Sequence, residues 1–597
     1  MAEDYAKLVN ETVEKFGKDR GRLMDIARAL HAELGHLSED TIGLVADALG
    51  IHRVEVRDMA SFYAFFSREP KGRATIRLCN AVVERMKGAD EVAKAFEEAV
   101  GCSFGETSED GKISLEYTPC IGMSDQPPSA LVNGVVLTRI RPQDVPGIVA
   151  ALRKGEGGGR LHEGGYESSE VELNLRQTGP VVFAPMERGA AIRKAVNMTA
   201  DDVINELNRA RVRGRGGAGF PTAMKWDFCR KAEADAHYVV CNGDEGEPGT
   251  FKDRVILTEQ ADLLFEGMTV AGYAIGAQEG FLYLRGEYEY LIGHLQQTLA
   301  KRRRLGLLGE NICGREGFNF DIRIQLGAGA YVCGEESALI ESLEGKRGAP
   351  RDRPPFPVQK GYLSRPSSVN NVETLCCAAR IIEHGADWFA AMGTKDSTGT
   401  KLLSVSGDCE RPGVYELEYG ITVEKLLELV GADGAQAVQI GGPSGQCLAP
   451  KDFGRAISFE DVPTGGSVIV FGPERNLLEC MRQFIEFFVD ESCGWCAPCR
   501  VGTTLLLKQL EKVLEGKGTR ADLDQLERLG VTVKTMSRCG LGQTAANPIL
   551  TTLRNFPDLY DNLIKPGDFI PSFDLKKAIA ESCAITGRNP ELEEEHV

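Results

Sequence analysis

The chain has 597 residues, far more than one hydrophobic core usually supports, and at about 150 residues per domain it predicts three to five domains. A formal charge of −18 argues against an extended nucleic-acid surface, and no apolar stretch approaches the roughly 20 residues that cross a bilayer. The start MAEDYAKLVN carries no basic-then-apolar secretory pattern, so the expectation is a cytoplasmic protein whose 17 cysteines are metal ligands or buried thiols rather than disulfides.

In chain order, AEDYAKLVNETVEKFG, DRGRLMDIARALHAELG and SEDTIGLVADALG space their apolar residues for helices, the third opening on Ser38 as N-cap. From ATIRLCNAVV onward the pattern is mixed, with strand-like KISLEYTP and SALVNGVVLTRI. The first unit, 1–155, is thus helices followed by a small α/β unit. It ends at a linker, 156–180, marked by the glycine-rich KGEGGGRLHEGG at 154–165. The second unit, 181–400, alternates strands such as AHYVVCNG and GFLYLRG with helices such as TADDVINELNRA, the α/β signature. The basic run KRRRL at 301–305 reads as a solvated helix end. At 401–475, KLLSVSG, GVYELEYG, AVQIGG and GSVIVFG are short strands around one helix, TVEKLLELVG. The last unit, 476–597, is helical again, as in NLLECMRQFIEFFVD and TRADLDQLERLG.

ESCGWCAPCR places Cys493, Cys496 and Cys499 with two residues between each pair. Zinc sites normally use separated cysteine pairs, whereas this single run gives three thiolates to one [4Fe–4S] cluster. Cys480 lies in an amphipathic helix and reads as core, and Cys583 lies in the polar tail. Cys539, in the glycine-flanked turn SRCGLGQ, is the expected fourth ligand.

Three glycine-rich stretches suit backbone approach to a phosphate or flat ring. In RVRGRGGAGFPTAMKW, Gly214, Gly216, Gly217 and Gly219 stand beside Arg213, Arg215 and Lys225. A helix precedes this loop, so it is not an ordinary Rossmann fingerprint, which follows a strand. YVVCNGDEGEPGTFKDR delivers Asn242, Asp244, Glu245 and Glu247 at a strand end, where α/β folds place ligands. GAGAYVCGEESALIE runs through Gly334, Glu335 and Glu336 into a helix. SSVNNVETL presents Asn370, Asn371 and Thr374, which suit phosphate binding or helix capping.

Together these motifs, with PPFP, occur in the order found in the NADH-binding flavoprotein subunit of respiratory complex I, and the resemblance covers roughly 180 to 560. It implies a multidomain α/β protein: a Rossmann-like FMN and NAD(H) domain, a ubiquitin-like β-grasp domain, and a helical bundle holding one [4Fe–4S] cluster. It places FMN against the 214–219 loop, Lys225, Asn242, Asp244, Gly334, Glu335, Asn370, Asn371 and Thr374. NAD(H) would stack on the flavin, its adenine near Phe220, Phe228 and Phe356, with Tyr331, Glu245 and Glu336 close by. Where the family commonly has lysine before PPFP, this chain has Arg353.

The first 155 residues resemble the thioredoxin-like complex I protein that carries a [2Fe–2S] cluster, here joined upstream. That family uses four cysteines. Here Cys79 is followed by Glu84 and Cys120 by Ser124, so the expectation is a docking domain without the cluster. Fusion, missing cysteines, LCNAVV and TPCIGMSDQPPS narrow the resemblance to the large diaphorase subunits of soluble NAD-reducing [NiFe]-hydrogenases.

The resemblance implies hydride transfer between nicotinamide C4 and flavin N5 at about 3–3.5 Å. Glu245 would position the nicotinamide. Single electrons would pass to the cluster and on to a ferredoxin-like iron–sulfur subunit and a hydrogenase module. The chain has no nickel-ligand motif, so hydrogen chemistry belongs to a partner. The alternatives are the same subunit of an NAD-dependent formate dehydrogenase or of complex I, where the [2Fe–2S] protein usually stands separate with its cysteines intact, and a non-catalytic metal scaffold, which the flavin motifs oppose.

Overall fold

The computed structural model describes residues 2–155, 171–565 and 575–587. Helices Ala2–Lys15, Leu23–Leu34, Glu39–Leu49 and Arg53–Phe62 come first. Ser38 caps the third as expected, its hydroxyl accepting the Thr41 N–H. Next come strands β1 (Ala74–Cys79), β2 (Ile113–Thr118), β3 (Ala130–Val132) and β4 (Val135–Leu137), in sheet order β2-β1-β3-β4. β1 and β2 are parallel, joined through the helix Ala89–Val100. β3 and β4 form a hairpin closed by Asn133 and Gly134, both at positive φ (48° and 83°), the conformation this two-residue turn requires.

Strand β5 (Leu175–Gln177) lies inside the expected linker. It pairs with the β-rich domain far downstream, so only residues 156–170 of that linker lie outside the described structure. The flavin-type domain carries β6 (Tyr238–Gly243), β7 (Glu279–Leu284), β8 (Asp321–Leu326) and β9 (Ser367–Asn371), all parallel, in order β8-β7-β6-β9. The order reverses between β6 and β9. This is the switch point where open α/β sheets leave a crevice at the carboxyl ends of their strands. The β-grasp domain adds β10 (Thr400–Gly407), β11 (Gly413–Glu418), β12 (Ala437–Ile440), β13 (Gln446–Leu448) and β14 (Ser467–Phe471), giving order β13-β12-β14-β10-β11-β5. Helices Leu477–Asp490, Ala497–Leu514, Arg520–Met536 and Asn547–Asn555 form the C-terminal bundle.

The expected single unit 1–155 packs as two. Residues 74–149 have their own core around Ile76, Leu78, Phe96 and Leu115. The first four helices instead cover the flavin-domain sheet, packing Val9, Leu23, Ile26 and Leu30 against Val240, Phe281 and Tyr283. The alternate residues Val239, Cys241, Leu282 and Leu284 face the other core, beneath the helices Ala261–Ile275 and Val372–His384. A parallel sheet needs both faces covered, and the helical pattern gives no sign of which sheet it will cover.

His31 sits in the helical unit, its Nε2 accepting the Ser67 N–H at 3.1 Å. Burial, then Arg77, pushes its pKa down from 6.5 to about 4. Between those values the unfolded chain binds more protons than the folded one. Stability is therefore fully present above the unfolded value and is lost as pH falls toward 4, by up to about 3 kcal/mol. The urea midpoint of the chain is expected to fall as pH drops from 6.5 to 4, and His31→Gln to flatten that dependence.

Candidate functional site

At the β6–β9 switch point the strand ends carry amides. Asn242 donates to the Gly334 carbonyl at 2.8 Å and accepts the Asp244 N–H at 3.1 Å. This joins the turn after β6 to the start of the helix Glu336–Leu343. Glu335 caps that helix, accepting the Ser337 and Ala338 N–H groups at 3.0 Å. After β9, Asn371 caps the helix Val372–His384, accepting the Glu373 N–H at 2.9 Å. Thr374 accepts the Arg215 N–H at 2.9 Å, so the glycine loop is tied to the same helix end.

The loop lies between the helices Ala200–Ala210 and Thr222–Lys231, as its context predicted. Gly217 has φ +121°, and a Cβ there would meet nothing closer than 3.9 Å. A Cβ on Gly214 would come into ordinary contact with Phe220 at 3.6 Å, while Gly216 and Ala218 are exposed, so the loop's outer face is open. Gly219, at φ +64°, passes so close to Phe459 that a Cβ would lie 2.5 Å from its ring. Among the described residues, the N–H groups of Gly216, Gly217 and Ala218 have no protein acceptor. An open glycine face with unpaired donors fits the phosphate or ring edge of FMN.

Charges and rings line the mouth. Lys225 bonds Glu336 at 2.9 Å and the Val369 carbonyl at 3.0 Å. Arg353 lies 3.4 Å from Glu335 and 3.7 Å from Glu336. Phe220, Phe228 and Phe356 are 44, 47 and 48% exposed, a large apolar investment at a surface unless a flat ligand covers it. Asp244 is partly buried, and desolvation raises its pKa well above its ordinary value against the pull of Arg285. Asn370 donates to Ser368 at 3.0 Å and accepts from Trp226 at 3.4 Å.

Two expected side chains point elsewhere. Arg215 does not offer its charge to the loop. Its guanidinium turns inward, donating to the Thr398 and Arg213 carbonyls and stacking on Tyr419 at 4.8 Å. Glu245 is also sequestered: it accepts the Asp253 and Arg254 N–H groups at 2.8 and 3.1 Å and the Tyr288 hydroxyl at 2.9 Å. Burial, then Asp253, raises its pKa to about 7. Its carboxylate ties the turn after β6 to the first turn of the helix Lys252–Glu259.

Cys493, Cys496, Cys499 and Cys539 line one small, nearly filled pocket together with Ser492, Trp495 and Arg538. Among the described residues, no three His, Cys, Asp or Glu side chains meet closely enough for a single metal ion. Four cysteines on one pocket, with no histidine or carboxylate in its lining, fit the all-cysteine ligation of a [4Fe–4S] cluster. Burial raises Cys539 to about 11, opposed by the N–H groups of Leu541 and Gly542. Ser492 lies 3.2 Å from the Cys499 sulfur, and Arg347 donates to the Cys493 carbonyl. Cys480 is buried in a separate core, as its helical pattern predicted.

Tyr331 joins cleft and cavity. Its hydroxyl bonds Glu247 at 2.5 Å and lies 2.9 Å from Ser444, its N–H donates to Glu491 at 2.9 Å, and its ring meets Phe487 at 4.9 Å. Sequence reading had no signal for Ser444 or Phe459, which reach the cleft from the β-grasp domain.

In the thioredoxin-like unit, Cys79, Glu84, Cys120 and Ser124 are all buried. Cys120 lies 3.4 Å from Ser124, and Glu84 accepts both the N–H and hydroxyl of Ser129. Two sulfur and two oxygen donors thus occupy the four positions that the sequence singled out.

Over 583 residues the chain is 47% identical to the alpha subunit of the NAD-reducing hydrogenase HoxS of Cupriavidus necator, covering 96% of this chain and 97% of that protein. The chain belongs to this family. A chain from a crystal structure of an NAD+-reducing [NiFe]-hydrogenase in the H2-reduced state superposes with a TM-score of 0.86 at 37% identity, covering 96% of this chain and 98% of that one. An NADH-quinone oxidoreductase subunit of Aquifex aeolicus is 40% identical, over 64% of this chain and 90% of its own length.

Within the chain, residues 207–380 match the Nuo51 FMN-binding domain. Residues 479–563 match the NADH-ubiquinone oxidoreductase-F iron–sulfur binding region. Residues 9–153 match the thioredoxin-like [2Fe–2S] ferredoxins, and this match overturns the expectation that the N-terminal domain lacks such a cluster. Counting thiols alone led to that error: it treated the carboxylate and hydroxyl at Glu84 and Ser124 as losses, although the domain around them is that of the [2Fe–2S] family.

Replacing Cys539 by alanine is expected to remove about four iron atoms per chain and leave flavin content unchanged, measured by iron assay and visible absorbance.

Proposed function

We propose that this chain is the diaphorase subunit of a cytoplasmic NAD-reducing hydrogenase, exchanging hydride between NAD(H) and FMN in the β6–β9 cleft. When bound, FMN supplies the exchange of a two-electron hydride for single electrons, and the [4Fe–4S] cluster supplies a one-electron carrier. The observation carrying this reading is the continuity of the two sites. Tyr331 bonds Glu247 in the acidic turn after β6 and packs in the same apolar cluster as Cys499 and Cys539, so the strand-end turn adjoins the cysteine pocket.

The protein's own part is binding and orientation. The free N–H groups of the 216–218 turn suit the flavin, Asn242 and Thr374 fix the backbone around it, and Asn370 is held by the Ser368 and Trp226 side chains. Lys225 and Arg353 bring positive charge against Glu335 and Glu336, a balanced cluster suited to a dinucleotide with both phosphates and hydroxyls. Phe220, Phe228 and Phe356 give an adenine ring apolar faces to lie against. Glu245 keeps the turn after β6 in place from behind, and no side-chain base is required.

Cys493, Cys496, Cys499 and Cys539 hold the cluster in this reading. Electrons then pass to a ferredoxin-like iron–sulfur diaphorase small subunit and a [NiFe]-hydrogenase module, giving reversibly H2 + NAD+ = H+ + NADH. No described helix is long and apolar enough to cross a membrane.

The test is the anaerobically purified chain with NADH. NADH is expected to bleach the flavin absorbance and produce a reduced [4Fe–4S] EPR signal. Cys496→Ser should retain NADH–dye activity and lose transfer to the partner subunit. Full hydrogen-linked activity in that variant would sink the assignment.

A further inference from the structure

Beneath the glycine loop lies a buried charge cluster with parts from three elements. Lys401, on β10 of the β-grasp domain, donates to Glu373 at 2.5 Å and to the Arg215 carbonyl at 3.2 Å. Glu373, in the first turn of the helix after β9, also accepts the Leu402 N–H at 2.9 Å and lies 3.1 Å from Lys252. Lys252 bonds Asp253 at 2.6 Å, and Asp253 accepts from Asn371 at 2.7 Å. Lys401, Glu373 and Lys252 are at most 2% exposed.

Charges this deep are costly unless fully paired, so a second reason for keeping two lysines here is wanted. The loop geometry supplies one. In a trans peptide the C=O and the following N–H point in opposite directions. Lys401 draws the Arg215 carbonyl inward, so the Gly216 N–H faces away from the cluster, toward the side on which Gly216 and Ala218 are exposed. Thr374 holds the preceding Arg215 N–H, so the residue is fixed at both ends. The N–H groups of Gly216, Gly217 and Ala218 have no acceptor among the described residues.

We propose that Lys401 is a positioning residue for flavin: by holding the Arg215 carbonyl from below, it turns the 215–216 peptide so that the Gly216 N–H is presented to FMN. The β-grasp domain thereby shapes the flavin site without touching the flavin. Burial lowers the Lys401 pKa to about 8, with Glu373 opposing, so the ammonium is charged at neutral pH. Its charge also lies on the inner side of a loop whose outer side offers N–H groups. Both effects favour an anionic or electron-rich group outside.

This inference rests on the reading of the 214–219 loop as the FMN site, and the experiment separates the two. FMN is removed from the full-length chain, and rebinding is followed by flavin fluorescence in wild type, Lys401→Met and Lys401→Gln, with iron content and circular dichroism as controls of folding. Lys401→Met is expected to weaken FMN binding about tenfold to a hundredfold. Lys401→Gln keeps a neutral donor and should weaken it less, about threefold to tenfold. The flavin midpoint potential should move negative in both variants, because a nearby positive charge is gone. A mere packing defect would not give that graded pair of shifts. FMN affinity within twofold of wild type and an unchanged potential in either folded variant overturns the proposal. If wild type itself binds no FMN, the flavin reading fails instead.

Discussion

Glu373 is the contact on which the centre of this molecule depends. Its carboxylate takes the Lys401 ammonium and the Leu402 N–H from the β-grasp domain, and Lys252 from the helix after the acidic turn. It stands two residues beyond Asn371, at the sheet's switch point. Taking one carboxylate and two ammonium groups out of water is unfavourable unless each polar atom finds a partner. Here the partners come from separate domains, so the charges are satisfied only when the domains are docked. The cleft exists in that docked state because its glycine loop is held from the same cluster.

The same device recurs around the sheets. Glu416 on β11 accepts the N–H groups of Gly179, Val181, Val182 and Phe183, at 2.8–3.0 Å. Glu266 accepts those of Gly189 and Ile192 and pairs with the buried Arg302. Glu245 accepts those of Asp253 and Arg254. In each case a carboxylate gathers donors that would otherwise be buried without acceptors. A buried carboxylate in this fold therefore signals chain organisation as often as chemistry.

The thioredoxin-like unit is attached to the back of that same turn. Arg285 donates to the Cys120 carbonyl at 2.7 Å and to the Glu245 carbonyl at 2.5 Å. Arg254, next to the Asp253 whose N–H Glu245 accepts, pairs with the fully buried Asp125 at 3.0 Å. The segment CIGMSD is thus bonded to Arg285 and Arg254, behind the turn that follows β6. On the other side, Tyr331 ties the cleft to the cysteine cavity. The three cofactor-type domains are not beads on a string. Each shares buried polar contacts with the central sheet.

By itself, the sequence determined the elements and the chemistry types. Period-two and helical patterning located β6, β7, β10, β11, β12 and β14 and the C-terminal helices, because those signals depend only on neighbours in the chain. The CxxCxxC run, Cys539 and the phenylalanines of the cleft mouth were legible as residue types in motifs. Tertiary structure decided what those motifs touch. The inward turn of Arg215, the sequestering of Glu245, the strand hidden in the linker and the division of the first 155 residues all depend on partners up to hundreds of residues away. Thiol counting failed at Glu84 and Ser124 for a related reason: a binding site is defined by the donors that a fold brings together, and side chains distant along the chain choose that company.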